Sequence, residues 1–191
     1  MRVRPSFLLR WPLLLLAAPG APAQTLPLDE HGKVSFYEVV PADTIRAGVL
    51  YAHAKRWLGH RGHTLAVADS AAGRLVAAQA FGVYDRGYLT KKLHGNVRYQ
   101  LTVEVKDGRY RLQIDNLLFA YYQEDRAYRL VPTGKTKPLE DTQAAGWQRL
   151  WENHRHDTLL ALNRLAADLK TAMLAVPEPP APVRPVRSAA W

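Results

Sequence analysis

GNVRYQLTVEVKDGRYRLQIDN, residues 95–116, decides the architecture of this 191-residue chain. Val97, Tyr99, Leu101, Val103 and Val105 alternate with Arg98, Gln100, Thr102 and Glu104, the period of two that a strand shows when one face is buried and the other wet. Asp107 and Gly108 follow, and a two-residue type I′ loop needs the positive φ that this pair tolerates. Tyr110, Leu112 and Ile114 then resume the apolar row. With the loop placed there, Val105 faces Tyr110, Val103 faces Leu112 and Leu101 faces Ile114, while Glu104 faces Arg111 and Thr102 faces Gln113 on the other side. Apolar meets apolar and acid meets base in a single register, so the hairpin and the identity of its buried face follow together.

The row continues with a change of phase. Leu117, Phe119 and Tyr121 are odd-numbered where Tyr110, Leu112 and Ile114 are even, which predicts one extra residue, a bulge, near Asn116. Upstream, Lys33 to Val40 is rich in β-branched and aromatic residues between Gly32 and Pro41 and reads as a first strand. After it Asp43 or Thr44 is placed to cap a helix whose apolar stripe is Ala47, Leu50, Tyr51, Ala54, Trp57 and Leu58, ended by Gly59 and Gly62. Thr64 to Asp69 and Leu75 to Tyr84 read as two strands joined by a short polar turn. Arg129 to Thr142, with Pro132, Gly134 and Pro138, reads as a loop. Helical periodicity returns after Gly146, most cleanly at Leu159, Leu162, Leu165, Ala166, Leu169 and Met173, and stops before Pro177. The expected fold class is α+β: a two-layer sandwich in the order β-α-β-β-β-β-α, with a mainly antiparallel sheet and both helices on one face.

Three stretches carry a family resemblance: LDEHGKVSFYEVV (residues 28–40), LYAHAKRW (50–57) and the hairpin run 95–116. The chain over residues 28–174 resembles a bacterial exported domain of unknown function with a TATA-box-binding-protein-like (TBP-like) fold. The resemblance implies the same sandwich. It supplies no activity, ligand or catalytic residue.

The chain begins MRVRPSFLLRWPLLLLAAPGAPAQ. Arginines precede a short apolar run, Pro19 and Gly20 break it, and Ala21 and Ala23 occupy the small-residue positions of a cleavage site, the pattern of a secretory signal peptide over residues 1–23. Arg10 and Pro12 leave the run too short to span a bilayer. The expected organisation is therefore a leader, one domain over residues 24–176, and a proline-rich disordered tail over 177–191, with the protein delivered to the periplasm or beyond. The formal charge is +9, of which Arg2, Arg4 and Arg10 belong to the leader, leaving +6. The chain has no cysteine, which excludes disulfides, thiolate metal sites and thiol nucleophiles.

Motifs for common chemistries are incomplete. Thr133-Gly134-Lys135-Thr136 resembles the end of a phosphate-binding loop, but Arg129 stands where its first glycine belongs. Ser35, Ser70 and Ser188, the serines beyond the leader, lie outside any nucleophile-elbow pattern. The neighbours Glu124-Asp125 and Glu140-Asp141 lie in stretches where adjacent carboxylates point apart. The expected open face of the sheet carries Arg98, Glu104, Arg111 and Asp115, which balance to zero where phosphate binding wants a positive surface, so no nucleic-acid partner is expected. His60 and His63 are weak metal candidates, and His154 and His156 form a similar pair. Each pair is interleaved with arginine, which disfavours a cation, and all four read as surface histidines. Tyr121, Tyr122, Trp147 and Trp151 are weak ligand-binding candidates beside the simpler reading as packing between helix and sheet.

These features point to a non-catalytic interaction module of the bacterial envelope, with no cofactor. It would bind an envelope protein, a peptide or a glycan through its open sheet face or a strand edge. The alternative is a metal-binding protein or an enzyme built on His60 and His63, or on the aromatic region near Tyr121 and Trp147.

Overall fold

The computed structural model describes residues 25–85 and 92–175; the leader and the proline-rich tail lie outside them. The elements are β1 (Phe36–Pro41), α1 (Ala47–His60), β2 (Thr64–Asp69), β3 (Arg74–Asp85), β4 (Lys92–Lys106), β5 (Arg109–Glu124), β6 (Leu130–Pro138) and α2 (Gln148–Leu174). The strands form one antiparallel sheet in the order β1-β5-β4-β3-β2, and β6 also pairs β5. The α+β two-layer arrangement is the expected one, with a sixth strand added.

The β4–β5 register is the one dictated by the alternation: Val105 opposite Tyr110, Val103 opposite Leu112, Leu101 opposite Ile114 and Glu104 opposite Arg111. It shifts by one residue between Arg98 and Gln100, and Asn116 takes φ +53°, so the bulge falls where the apolar row changes phase. Asparagine is among the few residues that enter this left-handed region at modest cost. Leu101, Val103, Leu112 and Ile114 are all buried. At roughly 1.5–3 kcal/mol for each fully buried large aliphatic side chain, this row is a principal source of stability.

The sixth strand corrects the reading of 129–142 as a loop. Leu118 pairs Pro138, Phe119 pairs Lys137 and Ala120 pairs Thr136; after a break at Gly134 (φ +77°), Tyr122 pairs Pro132 and Glu124 pairs Leu130. Proline disrupts a central strand because it lacks a donor, yet an edge strand pairs on one side only and tolerates it. β1 and β6 share the same side of β5, β1 along residues 109–114 and β6 along 118–124.

Both helices lie on the sheet face that carries Tyr99 and Phe119. Trp57 of α1 and Arg61 at its C-cap donate to the same oxygen, Oδ2 of Asp168 on α2 (2.7 Å from the indole), and the His53 ring lies 3.1 Å from the Met173 carbonyl. The pairs 53 with 173 and 57 with 168 run in opposite senses, so the helices cross antiparallel. Neither Asp43 nor Thr44 caps α1. Its N-cap is Arg46, without a side-chain bond, and the Ala47 N–H is instead met by Asp107 Oδ1 at 2.7 Å from the β4–β5 loop. Only Gly108 of the two loop residues takes a positive φ (+74°), so the turn is not the type I′ expected, and Asp107 sits in it with its side chain free to cap the helix. Asp107→Ala is expected to lower stability by about 1–2 kcal/mol, the usual cost of losing a cap, measurable by urea unfolding. α2 is continuous from Gln148, so residues 148–153 belong to the same helix as the later leucine stripe. Among the described residues no helix is long and apolar enough to cross a membrane.

Candidate functional site

Three regions hold the chemistry the sequence offered. The first surrounds His63. His60 is exposed at the end of α1, whereas His63 is buried, against the surface reading, because the chain turns inward at Gly62 (φ +70°). The Tyr99 hydroxyl donates to Gln79 Oε1 at 2.9 Å, so it accepts from His63 Nε2 at 3.0 Å. The Trp57 ring packs on the same imidazole, 5.1 Å between centroids. Burial lowers the His63 pKa and pushes the Tyr99 hydroxyl up to about 12. Both groups are neutral near pH 7, and the ring nitrogen of His63 that meets Tyr99 is engaged within the fold. Among the described residues no group of three or more His, Asp or Glu side chains is gathered to hold a metal ion.

The second region collects the aromatic residues. Phe119 of β5 is its hub, with Tyr121, Trp147, Trp151, His94 and His154 all within 6.3 Å by ring centroids. Trp151 is fully buried and donates its indole N–H to the Asp141 carbonyl at 2.7 Å. Tyr121, Trp147 and Trp151 are therefore brought together, as packing between α2 and the sheet. Tyr122 is not with them: it points to the other face, where its hydroxyl meets Asn96 Nδ2 at 3.0 Å. His154, expected at the surface, is completely buried in this cluster, with its Nε2 2.7 Å from Nδ1 of His94. Helical spacing explains the placement: Trp151, His154, Thr158 and Leu162 fall at i, i+3, i+7 and i+11, on the stripe α2 turns to the sheet. His94 had no such signal, because it precedes the alternating run. Burial, then the neighbouring His94, lowers the His154 pKa to about 4, while Asp157 and Asp85 oppose the shift.

The carboxylate neighbours of the sequence serve the loops. Asp125 Oδ1 accepts the N–H groups of Ala127 and Arg129, Asp141 pairs Lys137 and accepts the Gln143 N–H, and Glu124 pairs Lys92 at 2.7 Å. On the open face Glu104 is bridged by Arg111 and Arg74, and Arg111 lies over the Tyr37 ring.

The third region is one that sequence reasoning missed. β2 covers the outer edge of β3 only as far as Ala78, because the chain before Thr64 leaves the sheet for α1. Among the described residues no strand pairs the outer edge of residues 80–85. Beside that edge runs a trough of about 330 Å³, lined by Phe81, Gly82, Val83 and Tyr84 of β3 and by Asp157, Leu160, Ala161 and Arg164 of α2. The helical residues are at i, i+3, i+4 and i+7, a single stripe facing the free strand edge.

A six-stranded antiparallel sheet carrying two helices on one face defines a TBP-like α+β domain. Residues 36–120 match the family model of the domain of unknown function DUF4468, described as having a TBP-like fold, so the resemblance carried by the hairpin and first helix is borne out over these residues. Two crystal structures share the fold. A TBP-like protein from Parabacteroides distasonis aligns with a TM-score of 0.58 at 16% identity, over 78% of this chain and 96% of its own. A DUF4468 family protein from Bacteroides ovatus aligns with a TM-score of 0.59 at 17% identity, over 81% of this chain and 94% of its own. No curated protein matches this chain.

Proposed function

We propose that this protein is an exported, non-catalytic binding module of the bacterial envelope, and that it captures an extended peptide segment of a partner protein by strand addition. The observation that carries the reading is the trough between the edge of β3 that no described strand pairs and the Asp157–Leu160–Ala161–Arg164 stripe of α2. A free edge offers N–H and C=O groups in register for main-chain hydrogen bonds, and an adjoining helix offers a surface for alternate side chains. Residues 80–85 match a partner strand of about six residues, near the usual strand length. Leu160, Ala161 and the Phe81 and Val83 side chains favour apolar groups at every second position of such a peptide, while Asp157 and Arg164 stand at its two ends. Export is supported by the leader pattern of residues 1–23.

The test is selection of binders from a phage-displayed random dodecapeptide library, followed by amide chemical-shift mapping with the selected peptide. Shifts at residues 80–85 and 157–164, lost in Ala161→Trp while the melting temperature stays within about 2 °C, as expected for a surface substitution, are the predicted result. Peptides that shift Tyr37, Val39 and Arg111 instead would move the binding surface to the open sheet face. A selection that returns only background would sink the peptide reading.

A further inference from the structure

We propose that His94 and His154 form an acid-sensitive latch, a nitrogen-to-nitrogen imidazole joint that holds the first half of α2 on the sheet and opens when the pair takes up a proton. The inference is independent of the peptide trough. It rests on three observations: the 2.7 Å contact between His94 Nδ1 and His154 Nε2, the complete burial of His154, and the lack, among the described residues, of a partner for the other ring nitrogen, His154 Nδ1.

A neutral imidazole has one N–H and one lone pair, and the gap between two facing nitrogens holds one proton. Because His154 Nδ1 has no acceptor, the arrangement of lowest cost places the His154 proton on Nε2, donating to His94 Nδ1, with a bare lone pair at Nδ1. The His94 proton then sits on its own Nε2, and His94 is the half-buried member of the pair. An added proton has two places to go. On His94 Nδ1, it faces the His154 N–H across the joint and the hydrogen bond is lost. Alternatively, it takes the bare lone pair at His154 Nδ1, which keeps one proton in the joint but leaves a buried, charged ring with an N–H that has no partner, a full desolvation penalty. Either way the protonated joint is poorer than the neutral one.

The surroundings do little to rescue a charge. Phe119 of β5 stacks on His154 at 5.4 Å, and Trp147 at the N-cap of α2 and Trp151 within it close the cluster. The charged and titratable groups around the pair are Asp85 on β3, Asp157 on α2 itself, Lys92 on β4, which is bridged to Glu124, Tyr121 on β5, and Lys137 of β6 over the Trp151 ring. Arg155 donates to the Leu139 carbonyl and His156 is exposed. Burial holds His94 below the ordinary value of 6.5 against the pull of Asp85, and burial, then the like charge of His94, holds His154 below it against Asp157 and Asp85. A group with a lowered folded-state pKa lends stability above its unfolded value and loses it as pH falls toward the folded one. The window therefore runs from about pH 6.5 down to about 4.

The latch joins β4 to residues 147–158, while the later half of α2 is tied separately through Asp168 and Met173 to α1. Opening should accordingly be local. The experiment is hydrogen exchange of backbone amides from pH 7.5 to 4, read beside imidazole ¹⁵N shifts of the whole protein. The expected result is that both rings stay neutral at pH 6.5, and that protection of residues 148–158 falls below that, by up to about tenfold per pH unit as for one linked proton, while residues 162–173 keep theirs. In the double variant His94→Phe/His154→Leu, which keeps apolar groups against Phe119 and Trp147 and leaves neither position able to take a proton, the local step should be absent although His63 still titrates. Rings that titrate near pH 6.5 with residues 148–158 still protected would overturn the proposal. So would the same local loss in the double variant. If that variant does not fold, the wild-type comparison of the two halves of α2 decides alone.

Discussion

Replacing Phe119 by alanine is expected to cost about 3–5 kcal/mol, the range for removing a large buried aromatic. Phe119 is fully buried and is the ring on which Tyr121, Trp151, His94 and His154 converge, with centroids at 4.9–5.7 Å. It is also the point at which the first turns of α2 meet the sheet, so the cavity would lie between layers, where neither can collapse alone. A domain of this size has about 5–15 kcal/mol in total, so the variant should unfold at much lower urea. Near-ultraviolet circular dichroism from Trp147 and Trp151 should weaken even where it remains folded. A loss below about 1 kcal/mol, well under that range, would mean that the ring cluster is not the junction between the layers.

The second large effect is expected at Gly95. A methyl group built there would lie 2.4 Å from the Ala120 carbonyl oxygen and 2.6 Å from the Phe119 ring, closer than any real contact. The glycine is what lets the ring approach β4 so closely, beside His94, so the absence of a side chain at 95 is part of the aromatic cluster. Gly95→Val is expected to exceed the roughly 1–3 kcal/mol usual for overpacking, because one of the two obstacles is backbone and has no rotamer to escape to. Gly95→Ala in a Phe119→Leu background separates the causes: urea midpoints should recover the part due to the ring and retain the part due to the carbonyl. Additive effects of the two substitutions would show that ring and strand do not compete for the same space.

Local periodicity carried most of the fold. The β4–β5 hairpin, its register and the bulge at Asn116 were determined by alternation and one Asp-Gly pair, because strand neighbours across a tight turn are also neighbours in sequence. The stripe of α1 and the later stripe of α2 were readable for the same reason. His154 was readable too, since its spacing from Trp151 and Leu162 places it on the buried side of α2, although its chemistry suggested the surface. What periodicity could not supply was anything that depends on distant elements meeting. β6 reads as a loop because its prolines forbid a central strand, and only pairing at the edge of β5 makes them acceptable. The cap on α1 comes from Asp107, 60 residues away. The His94–His154 joint spans another 60, and the trough exists because β2 begins only at Thr64, opposite Ala78, while α2 passes beside the part of β3 that no described strand pairs. Chain-local patterns encode which face is buried; they are blind to which buried groups touch and to which edges remain open, because those depend on how long each element is relative to the partners it meets.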